Sequence, residues 1–282
     1  VADVTPPERR AARFGMLGVA FGVGFVLGPA LGGLAGSVDP RLPFWIAAGL
    51  SLANALYGLL VLPESLPRER RAPFDWRRAN PLGSLALLRS HRELFGLAGV
   101  YFLGQLAHAL LPSITVLYMG YRYGWDERMV GLVMAGVGVC SMVVQGGLIG
   151  PVVTRFGERN ALVAGLLFGA AGFATYGIAA SGTVFLLGIP LMALWGFANP
   201  AALGLMSRRV GPQEQGQVQG ANGAIAGIAN MLGPGLFTQV FAAAIAPDRS
   251  WQLPGAPFAL AALMLVAAVV VAWRVTAKSA NS

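Results

Sequence analysis

Residues 160–207 read NALVAGLLFGAAGFATYGIAASGTVFLLGIPLMALWGFANPAALGLMS, 48 positions without one Asp, Glu, Lys or Arg. A helix that crosses a bilayer needs roughly 20 predominantly apolar residues. This run therefore holds two, turning at Ala180-Ser181-Gly182. Six further charge-free runs cover 14–38, 42–63, 94–121, 129–154, 215–247 and 250–273. The seven together hold 206 of the 282 residues, and all 32 charged side chains fall in the other 76. Strands of a membrane barrel would be about 10 residues long and strictly alternating, which these runs are not. The pattern predicts an all-α membrane protein with about eight spans, at roughly 14–36, 42–62, 94–117, 129–150, 160–179, 183–205, 218–244 and 256–274.

Composition supports the same reading. The chain is 56% hydrophobic and 11% charged, whereas soluble domains carry about 25% charged residues. So few charges in so apolar a chain also exclude disorder. One cysteine, Cys140, removes disulfide frameworks and multi-cysteine metal sites. The net charge of +8 is a matter of placement: the N-terminal segment and alternate loops hold 16 of the basic residues, and the other side holds Arg41, Arg122, Arg128 and Arg249. The positive-inside rule puts the basic side, with both termini, in the cytoplasm. The charge thus needs no nucleic-acid partner.

Loop lengths divide the chain. Residues 1–62 hold two spans, 63–93 form a 31-residue cytoplasmic linker, and 94–282 hold six spans. The linker carries Pro67-Arg68-Glu69-Arg70-Arg71 and runs into Leu85-Ala86-Leu87-Leu88, read as a short amphipathic surface helix. Since the chain starts at Val1, with two spans before the linker and six after it, the simplest expectation is a fragment whose first spans are missing.

The first span contains Gly24-Phe25-Val26-Leu27-Gly28-Pro29-Ala30-Leu31-Gly32-Gly33. Glycines on one helix face allow close helix approach, and a proline removes a backbone bond and bends the helix. A dinucleotide reading of Gly22-Val23-Gly24 fails because no strand precedes it. On the third span, Tyr101, Gln105, His108, Pro112 and Thr115 recur at three- and four-residue steps, one polar stripe on a helix. Polar residues inside a membrane are expensive and face a cavity or another helix. An imidazole titrates near neutral pH, so His108 is a candidate for substrate or proton, with interhelical hydrogen bonding as the plain alternative. Ser141 and Gln145 are four apart, Trp195 and Asn199 lie one turn apart, and Asn222 and Asn230 are eight apart.

These motifs carry a resemblance. The Gly24–Gly33 run resembles the antiporter motif in the fifth helix of major facilitator superfamily exporters, in particular their tetracycline-efflux and multidrug proton antiporter branch. Leu62-Pro63-Glu64-Ser65, the run Gly150-Pro151-Val152-Val153-Thr154-Arg155-Phe156-Gly157-Glu158-Arg159, and Gly233-Pro234 are similar to later parts of the same branch. The resemblance covers the chain as helices five to twelve of a twelve-helix fold, with 1–62 closing the N-terminal bundle and 94–282 forming the C-terminal six-helix bundle. It implies that Gly24, Gly28, Pro29, Gly32 and Gly33 form the antiporter motif, and that Gly150, Arg155, Gly157 and Arg159 belong to a cytoplasmic gate loop. Thr154 stands where the family has an acid and Glu158 where it has a base, which implies a rewired gate network. It also implies a substrate cavity lined by Tyr101, Gln105, His108, Ser141, Gln145, Trp195, Asn199, Asn222 and Asn230. The branch's acid in the ninth helix aligns with Gly169 and its histidine in the eighth with Ser141.

The expected function is secondary active transport in a bacterial inner membrane: proton-coupled export of a drug-like amphipathic compound by alternating access. The alternatives are a metabolite or sugar permease of the same superfamily, and an inactive membrane-protein fragment. The expected partners are a small-molecule substrate, protons and the lipid bilayer, with a monomer favoured. No cofactor or metal is expected, because the proton gradient supplies the energy. An enzyme is not expected, since no nucleophile, base and orienting acid converge in the sequence.

Overall fold

The computed structural model describes residues 23–24, 27–28, 31–36, 38–62, 92–210, 214–247 and 252–277. Every regular element among them is helical. A bilayer offers no water to unpaired backbone groups, so a spanning segment must satisfy them within itself. The helices are α1 (Leu42–Leu60), α2 (Arg92–Tyr123), α3 (Glu127–Val143), α4 (Ile149–Ile178), α5 (Gly182–Leu194), α6 (Ala198–Ser207), α7 (Gln215–Ala244) and α8 (Ala256–Ala277). A π-helical segment, Val144–Leu148, joins α3 to α4, and a 3-10 turn, Trp195–Phe197, joins α5 to α6.

Six helical stretches among the described residues are long and apolar enough to cross a membrane. One of them, Glu127–Ile178, is 52 residues long and contains two of the spans expected from the sequence. All seven spans expected from residue 42 onward are therefore helical. Of the span expected at 14–36, the described residues 23–24, 27–28 and 31–36 are helical as well. The linker up to residue 91, with its expected surface helix, lies outside the described residues.

The gate segment differs from expectation. In place of a loop, residues 149–178 form helix on both sides of a kink at Gly157, whose φ of 79° and ψ of 160° are open to glycine and to little else. The charges of Arg155, Glu158 and Arg159 suggested a loop, but helix formation does not exclude charge where a span emerges from the membrane. The whole break is made at this one glycine.

The chain divides into two compact units, residues 1–75 with 126–142, and 76–125 with 143–282. In the first, Asp39 Oδ1 accepts from the backbone of Arg41 at 2.7 Å just before α1. Pro43, in the first turn of α1, sits where a missing N–H costs nothing. Asp126 Oδ1 accepts from Met129 N at 2.8 Å and caps α3.

In the second unit, α2 packs against α7 and α8, and α4 packs against α8, α5 and α6; α6 also touches α2. Lipid is as apolar as leucine, so helices associate through close packing and hydrogen bonds. The glycines of α4 provide the first. A Cβ on Gly165 would stand 2.7 Å from Ala198 N, and one on Gly172 would stand 2.7 Å from Met192 Sδ. Tyrosines provide the second: Tyr118 Oη donates to Tyr176 O and Tyr123 Oη donates to Ala179 O, each at 3.0 Å. Around them Tyr176 stacks on Phe185 with centroids 4.0 Å apart, and Tyr118 meets Phe258 edge-on at 4.7 Å. This aromatic cluster ties α2, α4, α5 and α8 together at the end away from Arg159, Arg208 and Arg274. Large apolar side chains such as Trp45, Leu59, Leu187 and Leu263 are exposed, as on helices that face lipid.

Candidate functional site

The stripe expected on α2 is present. Gln105 Nε2 donates to Tyr101 Oη at 2.9 Å, the i,i+4 spacing bringing the two side chains together. Both are half-buried, while His108, one turn further, is exposed. Thr115 closes the stripe from inside the unit: it is buried, and its Oγ1 has no hydrogen-bond partner among the described residues.

The tertiary structure brings Trp195, from the turn between α5 and α6, against His108. Its ring lies 5.7 Å from that of Trp195, centroid to centroid, at an interplanar angle of 47°. Trp195 opens the 3-10 turn and is held from behind by Phe173, edge-on at 5.3 Å. It also rests on Gly169, where a Cβ would stand 2.7 Å from its Cγ. A side chain at Gly169 would meet the indole of Trp195 and Leu265 Cδ1, so one or the other would have to shift. Gln145 comes from the π-helical segment, and its Cγ lies 3.7 Å from where a Cβ of Gly196 would stand. The π-helical and 3-10 segments are in contact, so both stretches leave α geometry at the same place. π-bulges are frequent at functional sites. Here the bulge carries Gln145 beside the Trp195-Gly196 turn.

A neutral polar–aromatic group on the second unit thus centres on Trp195, with His108 against its ring, Gln145 against the adjoining Gly196, and the Gln105–Tyr101 pair next along α2. It offers a flat ring for stacking and amide, imidazole and phenol groups for hydrogen bonding, with no carboxylate. The other expected residues fall apart from it in different ways. Asn199, on α6, is exposed. Asn222 is buried with neither Nδ2 nor Oδ1 bonded among the described residues, whereas Asn230 is exposed. Eight residues of α-helix rotate by about 80° from full register, enough to put one inside the unit and one outside. Ser141 is half-buried in the first unit. The antiporter glycines Gly24, Gly28, Gly32 and Gly33 have open space where a Cβ would stand, so no described residue packs on that face. Pro29 lies outside the described residues.

Of the gate residues, Gly150 and Arg155 sit on the helix before the Gly157 kink and Arg159 on the helix after it. The Arg155 guanidinium lies 5.7 Å from the Phe156 ring. Arg159 Nε donates to Thr276 Oγ1 at 3.0 Å, and its guanidinium lies 5.1 Å from the Trp273 ring. Thr154 Oγ1 donates to Gly150 O at 2.9 Å, within its own helix. Sequence reading missed Trp195 as the neighbour of His108, and missed Trp273, Thr276 and Arg208 as partners of the gate. The Gly146-Gly147 pair, weak in an α-helix, was the one available signal for the π-helical segment. Among the described residues no three His, Cys, Asp or Glu side chains gather as metal ligands would.

Comparison with known proteins bears on this arrangement. The sequence profile of the Major Facilitator Superfamily matches residues 1–234. The chain is 35% identical over 243 residues to the class C tetracycline resistance protein of Escherichia coli, covering 86% of this chain and 61% of that protein. It is 32% identical over 241 residues to the class D tetracycline resistance protein of Salmonella ordonez, covering 86% and 60%. It thus spans about three fifths of the length of these relatives. Among solved structures it is similar to the human organic anion transporter MFSD10 (TETRAN), with a TM-score of 0.73 and 25% identity, covering 96% of this chain and 66% of that one. With the helical spans, the profile match over most of its length and this likeness in structure, the chain belongs to the major facilitator superfamily.

Proposed function

We propose that the chain works in secondary active transport, exporting a drug-like amphipathic compound in exchange for protons by alternating access. The observation that carries this reading is the packing of Trp195 against His108, with Gln145 against the adjoining Gly196. A transporter must hold its substrate near the middle of the membrane without trapping it. A neutral group with one flat ring and several hydrogen-bonding side chains suits an amphipathic aromatic compound. The names of the tetracycline resistance relatives support tetracycline as the first compound to try.

In this reading residues 1–62 belong to one bundle, 63–93 link it to the next, and 94–282 form the second. Gly24, Gly28, Pro29, Gly32 and Gly33 act as the antiporter motif, and Gly150, Arg155, Gly157 and Arg159 as the cytoplasmic gate. Tyr101 and Gln105 complete the cavity. The protein resides in a bacterial inner membrane with both termini of this chain cytoplasmic, and the proton gradient drives it without a cofactor.

The test is uptake of tetracycline into inverted membrane vesicles under an imposed proton gradient. Uptake above that of vesicles from cells lacking the protein, abolished by a protonophore, is expected. Uptake unaffected by collapse of the gradient would remove proton exchange, and no uptake of tetracycline or of a panel of cationic and neutral aromatic drugs would remove the export reading.

A further inference from the structure

Glu158 and Arg159 follow the Gly157 kink directly, at the start of the helix that runs to Ile178. They reach to different helices. Glu158 Oε1 lies 3.1 Å from Arg208 Nη2, just past the end of α6. On the way the carboxylate crosses Gly204, where a Cβ would stand 2.7 Å from Oε1 and 2.9 Å from Cδ. Any larger residue at 204 would push the carboxylate off its path. Arg159 turns to α8, where it bonds Thr276 and covers Trp273. Two consecutive side chains thus connect α4 to the ends of two other helices.

The Glu158 side chain is 15% exposed and that of Arg208 76%. A pair with one partner so open to solvent contributes little to stability. Its worth lies in where it holds the backbone. A carboxylate in the first turn of a helix is also favoured by the helix dipole, so the Gly157 kink makes position 158 a good one for an acid.

We propose that Glu158 is a positioning residue which, seated over Gly204 against Arg208 and working beside the Arg159 contact to α8, holds these ends of α4, α6 and α8 as one body. The three helices then move together when the gate opens and closes. The geometric part stands without the transport reading; the kinetic part rests on it.

The test uses paired spin labels on cysteines placed at Leu205 of α6 and Val270 of α8, in the full chain with Cys140→Ala, reconstituted in liposomes. The native pair should give one narrow distance distribution. Glu158→Gln, Arg208→Gln and Gly204→Val should each broaden it to at least double the width, and Arg208→Lys should keep it narrow. Arg208 is exposed, so its variants do not put folding at risk. Tetracycline uptake should lose several-fold in turnover in Glu158→Gln at unchanged KM, and keep it in Arg208→Lys. Native-width distributions in both Glu158→Gln and Arg208→Gln would overturn the proposal, as would equal broadening in Arg208→Lys. If the native protein moves neither tetracycline nor any drug of the panel, the transport reading fails on its own and the distance distributions still decide this one.

Discussion

His108 stands where an imidazole can serve either as a hydrogen-bonding contact for substrate or as a proton carrier, with Trp195 beside it. Two substitutions separate these roles. His108→Ala should reduce drug export while expression and membrane insertion stay near native. In His108→Gln, retained export with a native pH profile assigns a binding role, and export that no longer varies with pH assigns a proton role. A histidine serving only as interhelical glue would cost about 0.6 kcal/mol when lost, with transport unchanged; that result in both variants would remove His108 from the site. Asn222 poses a different question, because its amide is buried with no partner among the described residues. A buried polar group left unsatisfied costs about 1–3 kcal/mol. Asn222→Leu should therefore raise the midpoint of thermal unfolding in detergent and abolish export, if the amide is kept for a transported or bound molecule. A lower midpoint would show that Asn222 is held for stability.

At the scale of elements, α4 is the helix whose small residues decide the packing of its neighbours. Gly165→Val drives a side chain into the backbone of Ala198, which cannot turn aside. Overpacking of this kind costs typically about 1–3 kcal/mol, read as a fall in the thermal midpoint. Gly99, exposed on α2 with nothing near its missing Cβ, is the control: Gly99→Ala should hold the midpoint or raise it slightly, as alanine favours helix by about 1 kcal/mol over glycine. A similar loss at both positions would show that glycine matters here for the helix itself and not for its contacts. The element boundaries were legible where charge stops, as at Leu94 near the start of α2, but α2 runs on to Tyr123 past the expected end at 117 and through Arg122. They were not legible at 149–159, because charges mark where a chain leaves the membrane and say nothing of whether it stays helical. Nor was the π-helical segment, since its register depends on packing against the Trp195 turn.

For the whole molecule the strongest expectation is orientation. Reporter fusions after Ser37, Gly124, Ser181 and Ser250 should read as exterior, and fusions near Ala72, Gly157, Gly211 and Ser282 as cytoplasmic. A cytoplasmic reading at Gly124 would invert every span that follows and with it the side on which Arg159, Glu158 and Arg208 act. The prediction rests on the 16 basic residues on one side against four on the other, an asymmetry that sets insertion before any helix has packed.

The sequence by itself determined what depends on each span alone: where a long apolar helix lies and which of its own residues share a face. Partitioning between water and lipid is summed residue by residue over about 20 positions, and the stripe of Tyr101, Gln105 and His108 follows from helical spacing. Only the tertiary structure decided which helices meet. It set Trp195 against His108 and Gly169, paired Glu158 with Arg208 across Gly204, and buried Asn222 while leaving Asn230 exposed. These pairings join residues far apart in the chain, and between helices in lipid they are chosen by shape and hydrogen bonding, which no single span carries in its own composition.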